Sequence, residues 1–217
     1  MKSLIIANWK CNPATLEEAK ELFSNIKEDI KNKDVVICPP SIFLSYLICD
    51  EVKFGSQNCF WEDKGAYTGE TSPQMIKSIG CEYVIIGHSE RRTIFNESNI
   101  DIKNKIKKAQ EIGLIPIVCI GESKDENTFE IIEEQIKDIG KDVILAYEPL
   151  WAIGTGENAS VGKVKEVRDF LKDRKVLYGG SVNSQNAKDY LEVTDGLLIG
   201  GASLNADEFL KIIKTAH

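Results

Sequence analysis

The chain has 217 residues and a formal net charge of −7 at neutral pH, with 42% hydrophobic and 28% charged residues. This composition is typical of a globular protein, and the length fits a single domain over residues 1–217. The acidic balance argues against nucleic-acid binding, and no apolar run approaches the roughly 20 residues of a membrane helix. The N-terminal apolar stretch is too short for a secretion signal.

Eight short runs of strand-forming residues recur along the chain. They are Ser3–Ala7, Val35–Cys38, Lys53–Gln57, Tyr83–Ile86, Ile115–Ile120, Val143–Tyr147, Lys175–Tyr178 and Gly196–Ile199. Most of these runs are continuously apolar rather than alternating, which is typical of parallel strands that are covered on both faces.

Segments with helical spacing lie between the runs. One apolar stripe begins at Leu16 and continues through Phe23 and Ile26, and Thr15 with Glu18 has the shape of a capping box. Further stripes include Ile131, Ile132, Ile136 and Ile139, and then Val164, Val167, Phe170 and Leu171. Eight strand–helix units in succession predict an α/β fold of the closed (β/α)8 barrel type.

An open doubly wound sheet is the alternative architecture. It would more naturally carry a glycine-rich turn after the first strand. This chain has Asn8-Trp9-Lys10 at that position, which favours the barrel.

The six cysteines form no C-x-x-C pair. We therefore expect reduced, buried thiols in a cytoplasmic protein, rather than a disulfide framework or a zinc site. They are Cys11, Cys38, Cys49, Cys59, Cys81 and Cys119.

Polar residues follow nearly all of the eight runs directly. They are Asn8 and Lys10, Gln57 and Asn58, His88 to Glu90, Gly121 and Glu122, Glu148, Gly179 to Ser181, and Gly200 to Ala202. In a barrel the carboxyl ends of all strands share one rim, where catalytic groups lie. The sequence therefore predicts an active site at this rim.

Glu148 and His88 have the chemistry of an acid–base pair. A carboxylate at the end of an apolar strand is partly desolvated, which makes it a usable base. The glycine-rich stretch after Glu148 predicts a lid. His88 precedes a possible helix, whose dipole favours a neutral imidazole that can donate a hydrogen bond to a carbonyl. The alternative for each is a structural role, with Glu148 bound to a neighbouring Lys or Arg.

Two glycine pairs, Gly179-Gly180 and Gly200-Gly201, follow the last two runs. Glycine lets backbone N–H groups approach an anion closely, although a tight turn would also explain each pair. Lys10 could hold a phosphate or stabilise an oxyanion, or it could be an ordinary solvated lysine.

Six segments resemble the triosephosphate isomerase family. They read NWKCN, YVIIGHSERR, CIGE, AYEPLWAIGTG, YGGSV and LIGGASL, in this order between Asn8 and Leu204. The resemblance implies a homodimeric (β/α)8 enzyme, without cofactor or metal, that interconverts dihydroxyacetone phosphate and glyceraldehyde 3-phosphate.

The resemblance also implies roles for individual residues. Glu148 matches the base, His88 the electrophile, Lys10 the cation that anchors substrate, and Asn8 its neighbouring contact. The positions that hold phosphate through backbone N–H groups are matched by Gly154, Ser181, Gly200 and Gly201. Glu90 matches a second carboxylate near Lys10, Cys119 a packing residue beside the site, and Thr68 the tip of a loop that enters the partner subunit.

The chain departs from the family pattern in two ways. Residues are missing between Glu122 and Glu148 and between Gly156 and Tyr178, which predicts shortened fifth and sixth helical regions on an intact rim. Glu157-Asn158-Ala159 also replaces the usual Lys-Thr-Ala after the lid, so we expect altered lid motion.

Two other functions remain compatible with a barrel. Another phosphosugar isomerase would share the glycine turns but has no need of the NWK and GHSERR segments. A non-catalytic barrel would share only the fold, which by itself does not determine function.

Overall fold

The computed structural model describes residues 3–152 and 157–216. Eight parallel strands form a closed barrel in which each strand pairs with the next and β8 pairs with β1. The strands are β1 (Leu4–Asn8), β2 (Val35–Cys38), β3 (Lys53–Ser56), β4 (Tyr83–Ile86), β5 (Ile115–Ile120), β6 (Ile144–Tyr147), β7 (Lys175–Tyr178) and β8 (Gly196–Ile199). The predicted barrel is confirmed, and the open sheet is excluded.

Helices follow the strands around the outside of the barrel. They are α1 (Leu16–Ile30), α2 (Ser41–Leu47), α3 (Pro73–Ser78), α4 (Ser89–Ile94), α5 (Asn99–Glu111), α6 (Thr128–Ile136), α7 (Val161–Phe170), α8 (Ala187–Leu191) and α9 (Ala206–Ala216). The helices of the two regions predicted to be shortened, α6 and α7, have 9 and 10 residues, against 15 in α1 and 13 in α5. Within the described residues, no helix is both long and apolar enough to cross a membrane.

Both faces of the strands are buried, which explains why their sequences are continuously apolar. Ile5 and Ala7 of β1 pack into the layer between the strands and the helices, whereas Leu4 and Ile6 belong to a separate cluster inside the barrel. Full burial of one such aliphatic side chain contributes about 1.5–3 kcal/mol. The inner cluster fills the barrel, so functional groups must collect at its ends.

The start of α1 follows the predicted capping box. The N–H of Glu18 donates to the Thr15 hydroxyl at 3.2 Å, and the N–H of Thr15 donates to the Glu18 carboxylate at 3.2 Å. An equivalent box, which was not predicted from the sequence, joins Ser98 and Asp101 at the start of α5. Each cap satisfies backbone donors that the helix itself cannot pair.

Two expectations about burial are wrong. Phe170 was assigned to the apolar stripe of α7 but is 44% exposed, because it ends the helix and pairs with the ring of Phe129 at 5.1 Å. Cys11 is exposed and Cys49 is partly exposed, and both lie in connections between strands and helices. The other four cysteines are buried, and all six are free thiols.

Candidate active site

The residues predicted for the rim lie together at the carboxyl ends of the strands. They surround a cavity of about 390 Å³, which we call the site cavity. Its lining consists of Asn8, Lys10, His88, Glu148, Gly179, Gly180, Ser181, Val182, Asn183, Leu198, Gly200, Gly201 and Ala202. Gly154 lies outside the described residues. The rim therefore brings together a carboxylate, an imidazole, an ammonium group and both glycine turns.

Glu148 is positioned by the end of β6. Its backbone N–H donates to the carbonyl of Ile120 at 2.7 Å, which ties it to β5. The residue is 2% exposed, and Oε2 accepts a long hydrogen bond from the N–H of Ser89 at 3.4 Å. The alternative structural role would require a Lys or Arg bound to this carboxylate. Among the described residues, no Lys or Arg lies within ion-pair distance of it. Its oxygens are thus available to a proton donor in the cavity.

The imidazole of His88 faces Glu148 through its Nε2 atom. Nε2 lies 3.5 Å from Glu148 Oε1, and the ring is buried. Nδ1 accepts a hydrogen bond from the N–H of Glu90 at 3.2 Å, so that His88 caps α4. An accepting Nδ1 carries no proton, which places the proton of the neutral ring on Nε2.

The carboxylate of Glu90 also lies near Nδ1. The contact with the Glu90 N–H requires an unprotonated Nδ1, whereas a hydrogen bond to the carboxylate would require a protonated one. Glu90 Oε2 is 3.5 Å away and could accept only from a protonated Nδ1. We favour the backbone contact because it is the shorter one and because the Glu90 carboxylate already binds Lys10 Nζ at 2.7 Å. With Nδ1 as the acceptor, an Nε2–H directed at the cavity satisfies both Glu148 and the helix cap.

Lys10 adopts an uncommon backbone conformation, with φ at +54°. A side-chain-bearing residue in this region costs about 1–3 kcal/mol, and such residues concentrate at active sites. Both of its backbone groups are held: the N–H donates to Asn8 Oδ1 at 3.1 Å, and the carbonyl accepts from Gln57 Nε2 at 2.8 Å. The surroundings therefore fix the ammonium group at the edge of the cavity.

The two arginines of the GHSERR segment do not line the site cavity but bind groups next to it. Arg92 donates to the carbonyl of Gly87 at 2.9 Å and to that of Cys119 at 3.1 Å, joining the ends of β4 and β5. Burial lowers the pKa of Arg92, but a guanidinium remains charged in proteins. Arg91 binds the buried carboxylate of Glu97. The segment thus combines candidate catalytic groups with their mechanical support.

Cys119 lies between Arg92 and Glu148. Burial raises the pKa of its thiol well above the ordinary value, and the nearby charge of Glu148 raises it further. The thiol therefore stays protonated at neutral pH and packs against the site, since only a thiolate is a strong nucleophile.

Steric contacts explain why glycine occupies these turns, and the sequence did not reveal them. A Cβ on Gly179 would lie 2.6 Å from Glu148 Cγ, and one on Gly180 would lie 2.1 Å from Tyr178 Oη. A Cβ on Gly200 would lie 3.1 Å from Lys10 Cε. The first pair therefore makes room for the carboxylate and for a tyrosine hydroxyl, besides leaving the backbone accessible.

Hydrogen bonds that hold residues near Glu148 in the chain were also not predicted from the sequence. Tyr147 Oη donates to Glu122 Oε1 at 3.0 Å, and Trp151 Nε1 lies 3.5 Å from the same oxygen. Ser181 Oγ donates to the carbonyl of Ala152 at 2.9 Å. The sequence showed an acidic residue in CIGE and aromatic residues in AYEPLWA. Nothing in these two segments indicated that the acidic residue binds the aromatic ones.

A second cavity of about 360 Å³ adjoins the first and shares Asn8, Lys10 and His88 with it. We call it the neighbouring cavity. Its other lining residues are Cys11, Ser41, Ser56, Gln57, Asn58, Cys59, Gly69, Glu70, Thr71, Glu90, Arg91 and Phe95. Thr68 is exposed on the loop that forms one side of this cavity. The dimer loop predicted from sequence is thus close to the site in its own subunit.

The arrangement suits proton transfer in a small anionic substrate. A carboxylate and an imidazole N–H face the same space, an ammonium group lies beside them, and glycine turns offer backbone donors to a phosphate. Across the described ranges, the His, Cys, Asp and Glu side chains form no cluster of three suited to a metal ion.

Comparison with known proteins agrees with this geometry. A family model described as triosephosphate isomerase matches residues 3–216. Relatives named triosephosphate isomerase include one from Aquifex aeolicus (strain VF5), 42% identical over 247 aligned residues that cover 98% of this chain and 99% of that protein. Another, from Dehalococcoides mccartyi (strain CBDB1), is 44% identical over 248 residues that cover 100% of this chain and 97% of that protein.

These alignments also measure how short the chain is. The alignment with the Aquifex protein spans 247 positions against 217 residues here, so at least 30 positions have no counterpart in this chain. The match nevertheless extends over nearly the whole of both proteins. Together with the family model, it shows that this chain is an isomerase that belongs to the triosephosphate isomerase family.

Proposed function

We propose that this chain interconverts dihydroxyacetone phosphate and D-glyceraldehyde 3-phosphate, with Glu148 as the base and neutral His88 as the electrophile. The observation that carries the proposal is the 3.5 Å approach of Glu148 Oε1 and His88 Nε2 on a cavity that the glycine turns also line. Membership of the family supports the choice of a triose phosphate as substrate.

In this proposal the second half of the barrel binds the phosphate. Backbone N–H groups of Ser181, Gly200 and Gly201, together with Gly154, would hold its oxygens. Lys10 Nζ and the Asn8 side chain would then lie beside the reacting carbons, where the ammonium group stabilises developing negative charge. Binding the phosphate in this way fixes the carbonyl between Glu148 and His88, which removes much of the entropic barrier.

The reaction then proceeds by proton transfer alone. Glu148 removes a proton from the hydroxymethyl carbon, the electron pair of that C–H bond forms a carbon–carbon double bond, and the carbonyl oxygen gains negative charge. His88 donates its Nε2 proton to this oxygen and takes a proton from the neighbouring hydroxyl. The oxygen that lost its proton to His88 then forms the new carbonyl, and the electron pair of the carbon–carbon double bond takes the proton back from Glu148 at the former carbonyl carbon. Glu148 and His88 thereby return to their starting protonation states.

The hydrogen bonds around His88 support a neutral imidazole in this role. The N–H of Glu90 occupies Nδ1, so Nε2 is the donor that faces the cavity. A neutral donor is well matched to an enediolate oxygen, and triosephosphate isomerase is itself a familiar example of a carboxylate base paired with a neutral histidine. Glu90 also binds Lys10 through its carboxylate. The same residue would therefore position the cation with its side chain and the electrophile with its backbone N–H.

The direct test is a coupled assay of the purified chain in both directions. We expect turnover by the wild-type chain and a loss of about 10²–10⁴-fold for Glu148→Asp, because the shortened carboxylate no longer reaches the substrate carbon. Glu133→Asp, on the exposed face of α6, is the matched control. A wild-type chain without isomerase activity contradicts the function, whereas a near-normal Glu148→Asp contradicts the assignment of the base.

We also propose a homodimer in which the loop around Thr68 packs against the partner subunit. The loop is anchored to α5 in its own subunit, because Lys105 Nζ binds Asn58 Oδ1 and Lys108 Nζ binds Asp63, both at 2.8 Å. Its interior is formed by aromatic rings, with Phe60 4.7 Å from the ring of Tyr67. Such a loop has a defined shape to offer a partner.

The helices α2, α3 and α4 carry exposed apolar residues, and Phe95 also lines the neighbouring cavity. Ile94 and Phe95, at the end of α4, are 66% and 64% exposed, and Ile42, Tyr46 and Met75 on α2 and α3 are also exposed. An apolar surface of this kind is typical of a protein interface. The interface would lie beside Lys10 and His88, which line the neighbouring cavity.

Light scattering tests the dimer. We expect a mass of twice the chain's 24.2 kDa, and we expect Thr68→Arg to lower both the mass and the turnover. Glu133→Gln on α6, which also changes the net charge by +1, is the control for charge. A monomer with full activity would contradict the role of the loop. The free thiols of the chain are compatible with the cytoplasmic location that we also propose.

A further inference from the structure

Both polar backbone groups of Ala159 are bound by tyrosine hydroxyls. The N–H of Ala159 donates to Tyr178 Oη at 3.0 Å, and its carbonyl accepts from Tyr190 Oη at 2.8 Å. Ala159 is fully buried, so neither group can turn to bulk water instead. A buried backbone group without a partner is costly, and the two hydroxyls therefore determine where this residue lies.

The two tyrosines form a single unit. Their rings stack with centroids 4.2 Å apart and planes inclined by 28°. Tyr178 is the last residue of β7 and Tyr190 lies in α8, and both are buried. Gly180 completes the unit, because a side chain there would collide with the Tyr178 hydroxyl.

Ala159 occupies a decisive place in the chain. It directly precedes Ser160, whose side chain caps α7, and it ends the connection that begins at Glu148 after β6. Ala152, earlier in the same connection, is also held, since Ser181 Oγ donates to its carbonyl. The hydrogen bonds to Ala152 and Ala159 thus come from residues of β7, α8 and the segment between them, which also contains the first glycine turn.

We propose that Tyr190 is a positioning residue that fixes Ala159, directly before the cap of α7, relative to the first glycine turn. Its hydroxyl fixes the carbonyl of Ala159, and its ring holds Tyr178 so that the second hydroxyl fixes the N–H. The inference rests on the proposed function, because the ligand that the turn would bind is the substrate phosphate. Glu148 has its own anchor on Ile120, so loss of Tyr190 affects ligand binding more than proton transfer.

The test is Tyr190→Phe, which removes one hydroxyl and keeps the stacked ring. We expect KM to rise about tenfold and kcat to fall less than about threefold, since a buried hydrogen bond is lost away from the reacting atoms. The dissociation constant of 2-phosphoglycolate, measured by calorimetry, is expected to rise by the same factor as KM. Tyr83→Phe is the matched control, because Tyr83 is a buried tyrosine at the opposite end of the barrel.

Amide hydrogen exchange supplies a readout that does not depend on turnover. We expect the Ala159 N–H to exchange about tenfold faster in Tyr190→Phe, and to be unchanged in Tyr83→Phe. In the double variant Tyr178→Phe/Tyr190→Phe, the loss of affinity is expected to be smaller than the product of the single losses, because both hydroxyls act on one residue.

These measurements separate the two proposals. An inactive wild-type chain would overturn the proposed function, while phosphoglycolate affinity and amide exchange would still test Tyr190. Unchanged KM, affinity and exchange in Tyr190→Phe would overturn the positioning role, even if the variant melted at a lower temperature.

Discussion

The two halves of the site are built differently. On the side of β1 to β4, functional groups bind one another directly: Asn8 holds the backbone of Lys10, Lys10 binds Glu90, and the backbone of Glu90 binds His88. On the side of β6 to β8, glycine turns lie at the cavity. Side chains from outside the turns, such as Tyr178 and Tyr190, hold the neighbouring backbone there.

This difference matches the two tasks of the proposed reaction. The first half must hold charges and protons at fixed atoms, which hydrogen bonds between functional groups accomplish. The Lys10–Glu90 pair is partly exposed, so it contributes little to folding stability and serves mainly to place the ammonium group. The second half carries Glu148 and must also let backbone donors approach an anion, which requires space around the glycine turns.

Removing the cation tests the first half most strongly. Lys10→Ala is expected to lower kcat/KM by about 10³-fold or more, because it deletes the charge that would stabilise both the phosphate and the oxyanion. Lys107→Ala, on the exposed face of α5, controls for loss of a positive charge. The measurement is kcat/KM of both variants in steady-state kinetics. A modest effect of Lys10→Ala would contradict the proposed role of the ammonium group in stabilising charge.

The two nitrogens of His88 can be separated by a pair of variants. In His88→Asn, the amide oxygen can replace Nδ1 as the cap of α4, but nothing replaces Nε2. In His88→Gln, the longer amide can reach toward the position of Nε2. We expect both to lose about 10²–10³-fold in kcat, with better retained thermal stability in the Asn variant.

Kinetics and thermal melts of the two variants are read together. Higher turnover in His88→Gln than in His88→Asn, even at equal stability, would support Nε2 as the reactive atom. Retention of near-normal kcat by His88→Asn would show that the first half works without an imidazole donor.

A methyl group tests the second half. Gly179→Ala places a Cβ 2.6 Å from Glu148 Cγ, so the carboxylate must move. Displacement by about 1 Å can cost about 10²-fold in turnover, and we expect a loss of that order. Gly140→Ala, where a Cβ meets no atom within 4 Å, is the control. Turnover close to wild type in Gly179→Ala would show that the turn does not constrain the base.

The smallest expected effect concerns a support of the same turn. Glu208 Oε1 accepts the N–H of Ser184 at 2.7 Å, and this hydrogen bond lowers the pKa of Glu208 below its ordinary value near 4.5. A lowered folded-state pKa stabilises the fold above the unfolded pKa, and this stabilisation is lost as pH falls through the folded value. Glu208→Gln should therefore lower Tm at pH 7 by no more than about 4 °C.

The sign of this effect is checked by repeating the melt in acid. The difference in Tm between Glu208→Gln and wild type should shrink as the pH falls below 4.5, because the wild-type carboxylate becomes protonated. A difference that grows in acid would contradict the assigned hydrogen bond.

The barrel could be predicted because its signal is local and repeated. Each strand is a short apolar run, and five of the eight runs match their strands at both ends. The exceptions are Ser3–Ala7, which starts and ends one residue early, Lys53–Gln57, which ends one residue late, and Val143–Tyr147, which starts one residue early. The prediction for Phe170 failed because an apolar residue at a helix end can cover a neighbouring ring instead of the core.

The grouping of the candidate site residues could be predicted for a similar reason. Strand ends in a barrel converge, so rim residues such as Lys10, His88 and Glu148 could be grouped without knowing any distance. The Tyr178–Tyr190 pair could not be anticipated, since nothing local to either residue indicates that both hydroxyls bind Ala159. The positive φ of Lys10 likewise depends on Gln57, 47 residues further along the chain.

The proposed abstraction of a carbon-bound proton by Glu148 can be tested through hydrogen exchange with solvent. When dihydroxyacetone phosphate is isomerised in D₂O, we expect deuterium to appear on the carbon next to the carbonyl, detected by proton NMR, and Glu148→Gln to abolish this incorporation. Isomerisation by the wild-type chain without any incorporation, or undiminished incorporation by Glu148→Gln, would refute the role of Glu148 as the base.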